Sequence, residues 1–108
     1  MSQSAIYLTM NLPLEMRETY LQRRRVELEQ FKIASGDSAF QLAKKVGHQL
    51  KGNAKSFDFE ELSAVAKSFE NSAQSQDANI LALAITQYEN ILDLCAQRLA
   101  LEKTVSNK

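Results

Sequence analysis

Chain-breaking residues are almost missing from this sequence. One proline and three glycines are spread over 108 residues, too few turn formers for a protein built of hairpins. Val, Ile and Thr are sparse, while Leu, Ala, Glu, Lys and Gln dominate. Those unbranched side chains lose little rotamer freedom in a helix, so an all-α fold is expected. With 44% hydrophobic and 24% charged residues, the chain has the composition of a globular protein. Its length suits a single domain with one core.

The few punctuating residues divide the chain into four helices. Pro13, with Asn11 as a cap before it, suits the first turn of a helix that runs to about Ile33 and carries the apolar stripe Leu14, Leu21, Leu28 and Phe31. Ser35-Gly36-Asp37 reads as a stop and a start, with Gly36 ending the first helix and Asp37 capping the second. The second helix is expected to reach about Ser56. Asp58 and Glu61 have the spacing of a capping box for a third helix that buries Leu62, Val65, Ala66 and Phe69 and fades in the polar run Asn71 to Gln76. Asp77 then caps a long fourth helix that turns Ile80, Ala84, Tyr88, Ile91 and Cys95 inward, with a frayed tail after about Lys103. Short joints between amphipathic helices predict an antiparallel, up-down-up-down four-helix bundle over about residues 12–103. Ile6, Tyr7, Leu8 and Met10 are apolar enough to pack across one end of it.

Charge and targeting signals narrow the setting. Thirteen basic residues balance thirteen acidic ones, so nothing draws the whole chain to nucleic acid or an anionic membrane. No apolar run approaches a bilayer span. Met1-Ser2-Gln3-Ser4 lacks the basic start of a secretory signal, and the single cysteine, Cys95, has no internal disulfide partner. A soluble, monomeric, cytoplasmic protein is expected. The start at Met1 favours a free-standing chain over a fragment of a larger kinase.

The second helix carries the chemistry. At about 100° per residue, Ala39, Leu42, Ala43, Val46, Leu50 and Phe57 gather on one side, the core side. His48, the only histidine, falls about 160° from their midline and is predicted to face solvent. Within about 60° of it lie Gln41, Lys44, Lys45, Lys51, Gly52 and Lys55, and no acidic residue occurs between Gln41 and Lys55. A neutral imidazole open to solvent is a nucleophile. Such a ring can carry a phosphoryl group. Lys51, one turn on, can offset that group's charge, and Lys44, Lys45 and Lys55 extend the positive field. Gly52 costs a helix interior about 1 kcal/mol against alanine, a cost that room for an approaching partner would explain.

The stretch His48-Gln49-Leu50-Lys51-Gly52 resembles the H-x-L-K-G motif of histidine phosphotransfer (HPt) domains. Gly36-Asp37 before the second helix, Phe57 to Leu62 after it, and Phe69-Glu70 beyond are also similar to that family, so the likeness spans about residues 14–95. The resemblance implies a phosphorelay intermediate that takes a phosphoryl group from an aspartate of one receiver domain and hands it to another. It implies no ATP site and no kinase activity of its own. His48 would be the phosphoryl acceptor, with Nε2 as the modified nitrogen. Lys51 would stabilise the group, and Gly52 would give the receiver room. Gln41, Lys44, Lys45 and Lys55 would meet the partner. The chain itself would bind no cofactor; Mg²⁺ would come from the receiver's acidic pocket, and a hybrid sensor histidine kinase would stand upstream. Two departures are visible. Asp58 stands where many members have glycine, about 15 Å along a continued helix from His48 and so too far to touch the phosphoryl group. Asn53, Ala54 and Lys55 replace small or hydroxyl residues, which would bear on partner choice.

Other readings follow from the same residues. His48 has neither a second histidine nor a thiol near it in sequence, which argues against a metal site. The run Arg23-Arg24-Arg25 hints at nucleic acid, but successive helical residues point about 100° apart and cannot share one patch, so solvated or bundle-edge positions are expected. Cys95 reads as a small buried hydrophobe. Phe40 and Phe59 read as core, with Phe40 close enough to the His48 face to rim a docking surface. A bundle that binds a receiver or kinase without accepting phosphate is the alternative function.

Overall fold

In the computed structural model, which describes residues 13–106, every regular element is helical. Helix α1 spans Leu14–Ile33, α2 Gly36–Asn53, α3 Glu60–Ser75 and α4 Ala78–Ser106, with a single 3₁₀ turn at Lys55–Phe57 between α2 and α3. Asn11 and the apolar N-terminal residues Ile6, Tyr7, Leu8 and Met10 lie outside the described residues.

Ion pairs and aromatic contacts fix the helix directions. Arg17 meets Glu102 while Arg25 meets Asp93 and Lys32 meets Glu89, so α1 and α4 run antiparallel. Tyr20 Oη donates to Asn53 Oδ1 (2.6 Å) across α1 and α2. Phe69 meets Tyr88 edge-on at 5.2 Å, and Arg98 pairs with Glu61, which sets α3 against α4. The result is the up-and-down four-helix bundle that the spacing predicts. Its long dimension, 46 Å, is close to the length of the 29-residue α4 at about 1.5 Å per residue.

The core is continuous. Leu21, Leu28 and Phe31 from α1, Ala39, Ala43, Val46 and Leu50 from α2, and Leu62, Val65, Ala66 and Phe69 from α3 are all buried. Two aromatic groups fill it. Tyr20 stacks on Phe57 (4.3 Å) and Phe59 (5.9 Å), and Phe31 stacks on Phe69 (4.9 Å). Phe59 is fully buried, Phe40 is half-buried against the core, and Leu14, Leu42 and Phe57 line its edge. Cys95 is buried as expected, and burial pushes its thiol up to about 11.

Several local expectations are corrected. Pro13 sits just before α1, where its carbonyl accepts from the Met16 and Arg17 amides. Gly36 does not end α1, which closes at Ala34; it opens α2 with φ +58°. Asp37 is not a cap. It lies in the first turn, where a carboxylate suits the helix dipole, and accepts from Gln41 Nε2 at 3.0 Å. The second α-helix stops at Asn53 because Ala54 turns the chain into 3₁₀ geometry, its carbonyl accepting from both Phe57 and Phe59. Asp58 and Glu61 form no capping box. Asp58 is left-handed (φ 65°, ψ 32°), and both acids are drawn to arginines, Asp58 to Arg17 and Glu61 to Arg98. Helix α3 does not fade; it persists to Ser75 and ends at left-handed Gln76. Asp77 does cap α4, accepting from the Asn79 (2.9 Å) and Ile80 (3.1 Å) amides. The inward line of α4 is Leu81, Ala84, Tyr88, Leu92, Cys95 and Leu99, so Ile80 and Ile91 sit at its edge, one residue off the deepest positions. The helix also continues past Lys103 to Ser106.

The arginine run splits three ways. Arg23 is exposed, Arg25 pairs with Asp93, and Arg24 is 8% exposed, buried deeper than the solvated or bundle-edge place expected of it. Arg24 lies over the Tyr20 ring, with Nε 3.0 Å from Glu27 Oε1 in an ion pair without hydrogen-bond alignment. Glu27 also accepts from Tyr88 Oη at 2.9 Å.

Candidate functional site

The inward face of α2 decides what its outward face can do. Val46 and Leu50 are fully buried, and they anchor the turns on either side of His48. The helical period then turns the imidazole outward, and His48 is exposed. Gln41, Lys44, Lys45, Lys51, Gly52 and Lys55 are exposed as well. All but Lys55 stand on α2 itself, and Lys55 stands on the 3₁₀ turn just beyond it.

The lysines are not one undivided field. Lys44 and Lys51 reach toward α3, where with Lys67 they line a cleft of about 760 Å³ that also holds Ser63, Glu70 and Asn71. Lys45 leans the other way, into a groove shared with Arg23, Arg24 and Glu27 of α1. Gln41 is held by Asp37. The His48 ring therefore stands on a ridge with a basic groove on each flank. Such a ridge attracts an anion and leaves the nucleophile reachable.

Gly47 and Glu70 support this ridge. Gly47, immediately before His48, is the point at which α2 lies against α3. A Cβ there would lie 2.9 Å from the Ala66 carbonyl oxygen, 2.9 Å from Glu70 Cγ and 3.2 Å from Phe69 Cβ. Glu70, beside it, reaches Lys51, with Oε1 4.0 Å from Nζ. Gly47 carried a usable signal, since a glycine inside a helix costs stability unless packing needs it. Lys67 carried none and Glu70 only its place in the Phe69-Glu70 likeness, because only the pairing of α2 with α3 brings them to the site. Gly52 differs from Gly47: nothing lies within 4 Å of the space its Cβ would fill.

Asn53 and Ala54, which depart from the family pattern, are engaged within the bundle. Asn53 is bonded to Tyr20, and Ala54 is fully buried. Among the described residues no cluster of three or more His, Cys, Asp or Glu is placed to hold a metal ion. No helix among them is long and apolar enough to cross a membrane.

Comparison with known families matches the chain to the family described as Hpt domain, over residues 15–102. The chain belongs to the Hpt domain family. Neither the curated proteins nor the solved structures gave a match. Hpt domains are phosphocarrier modules of two-component signalling, not kinases, and they interact with receiver domains and kinases. In this Hpt domain the matched region takes in all of α2 and α3, and with them His48 and both flanking grooves.

Proposed function

We propose that the protein is a monomeric, cytoplasmic phosphorelay intermediate that carries a phosphoryl group on His48 between aspartates of receiver domains. The observation that carries this reading is the exposure of His48 on a ridge of α2 whose opposite face, Val46 and Leu50, is locked in the core. A lone pair on a ring nitrogen attacks the phosphorus of the receiver's acyl phosphate. The N–P bond forms as the P–O bond to the aspartate breaks, and the carboxylate leaves with the electron pair. Lys51 offsets the phosphoryl charge, and the receiver supplies Mg²⁺. The rest of the rate comes from alignment within the complex. Gly52, Gln41, Lys44, Lys45 and Lys55 form the docking rim, where steering charge raises the encounter rate. A hybrid sensor histidine kinase is the expected source of phosphoryl groups upstream.

The non-phosphorylated adaptor draws its motive from Asp58 and the residues after Gly52. Asn53 and Ala54 serve internal packing and Asp58 serves the turn, which leaves exposed Lys55 as the one departure on the docking rim. Incubation with a phosphorylated receiver tests the proposal. Acid-labile, alkali-stable label is expected on the protein and absent from His48→Gln; label retained by that variant rejects the assignment. Lys51→Ala is expected to fold normally and transfer more slowly, and an unchanged rate removes Lys51 from the mechanism.

A further inference from the structure

Glu70 occupies a particular place for a carboxylate beside a phosphoryl-accepting residue. Its stem packs into the α2–α3 contact, with Cγ only 2.9 Å from where a Gly47 Cβ would be. A side chain at position 47 would drive Glu70 out, so the glycine before His48 gives the carboxylate its position. From there Oε1 stands 4.0 Å from Lys51 Nζ, one turn beyond His48. The two partners differ in freedom. Glu70 is 34% exposed with its stem packed, whereas Lys51 is 71% exposed and free to swing. Among the described residues, Glu70 is also the one acidic side chain lining the cleft that Lys44, Lys51 and Lys67 share.

An ion pair this open and this long is weak. Water competes for both groups, and holding a flexible lysine costs side-chain entropy. A phosphoryl group on His48 would bring a charge of about −1.5 to −2 and three acceptor oxygens to the neighbouring turn. The lysine would therefore change partner when the phosphoryl group arrives. The same carboxylate then sets the cost of that change, because whatever Lys51 gains from phosphate is reduced by what it gives up at Glu70.

The geometry points to Glu70 as a positioning residue that acts through Lys51: it holds the lysine over the cleft while His48 is empty and weakens the lysine's grip once His48 is phosphorylated. This rests on the phosphocarrier reading of His48 and deepens it. A relay intermediate must release its cargo as readily as it takes it. A competing carboxylate keeps the phosphohistidine from becoming a stable end point, without touching the reacting atoms.

The test uses phosphoramidate, a small-molecule donor that phosphorylates imidazole, on the full chain as wild type, Glu70→Gln, Lys51→Ala and the double variant. Titration of the phosphoryl group is followed by ³¹P NMR. Freeing Lys51 favours the dianion, so Glu70→Gln is expected to lower the phosphoryl group's proton affinity by about two- to fivefold, the scale of an exposed ion pair. In the Lys51→Ala background, Glu70→Gln is expected to change nothing. Gln keeps the shape of the stem, and matching far-UV spectra check that the bundle is intact. Equal titrations in wild type and Glu70→Gln overturn the role, as does an equal displacement with and without Lys51. Wild type that gains no phosphohistidine signal overturns this proposal and the phosphocarrier reading together. A normal signal with unaltered titration overturns this proposal alone.

Discussion

Gly47 lies close against Ala66 across the α2–α3 contact, and a methyl group on Gly47 would lie 2.9 Å from the Ala66 carbonyl oxygen. Backbone cannot swing aside as a side chain can, so the two helices must part to admit it. Overpacking of this kind costs about 1–3 kcal/mol, while alanine recovers about 1 kcal/mol of helix propensity. Gly47→Ala is therefore expected to destabilise the bundle by about 1–2 kcal/mol in urea unfolding. A variant as stable as wild type would mean that the contact is looser than the structure has it.

Gly52 sits five residues further on, with nothing within 4 Å of its missing Cβ. Here alanine meets no neighbour, so only propensity counts, and Gly52→Ala should gain up to about 1 kcal/mol. If the open space serves a docking receiver, the same variant should transfer phosphate more slowly. Stability and transfer are thus expected to move in opposite directions. Faster or unchanged transfer in the stabilised variant would remove the partner from the explanation of this glycine.

These two glycines show what the sequence could disclose. The exposure of His48 was readable because it depends only on the helical period and on the apolar residues Val46 and Leu50 beside it. The four helices were readable for the same reason. Glu70 was not, since its link to Lys51 exists only after α3 folds back on α2. Arg24 was not, because its burial requires the Tyr20 ring and the Glu27 carboxylate together. Asp58 was read by its side chain as a cap, whereas its backbone decides its role: the turn needs a left-handed residue there.

That backbone gives a graded prediction. Asp58 adopts φ 65°, a region where glycine is at ease, Asp is tolerated and β-carbons generally cost about 1–2 kcal/mol. Its carboxylate is exposed and 3.4 Å from Arg17, a weak pair, while its carbonyl accepts from Arg98 whatever the side chain. Asp58→Gly should be neutral or stabilising by up to about 1 kcal/mol, and Asp58→Ala should destabilise by about 1 kcal/mol. Thermal melts give the order. Alanine ranking above aspartate would rule out the left-handed turn as the reason for the family's glycine.

Two carboxylates, Glu102 and Glu27, make stability depend on pH with opposite signs. Arg17 grips Glu102 through two nitrogens (2.8 and 3.1 Å), and these bonds hold the carboxyl below its ordinary 4.5. In that window the unfolded chain binds more protons, so the stabilisation is complete above about 4.5 and is lost as pH falls through the lower folded value. Glu27 is raised above 4.5, chiefly by burial, with Arg24 and the Tyr88 hydroxyl pulling the other way. There the folded chain binds more protons, so stability declines as pH rises from about 4.5 through the folded value. Glu102→Gln should flatten the acid limb of the stability profile, and Glu27→Gln should flatten the decline above it, measured by urea unfolding at stepped pH. Glu102 is 41% exposed, so solvent screens its pairing and its limb should be the shallower. A Glu27→Gln profile that still declines over that interval would place the responsible proton on another group.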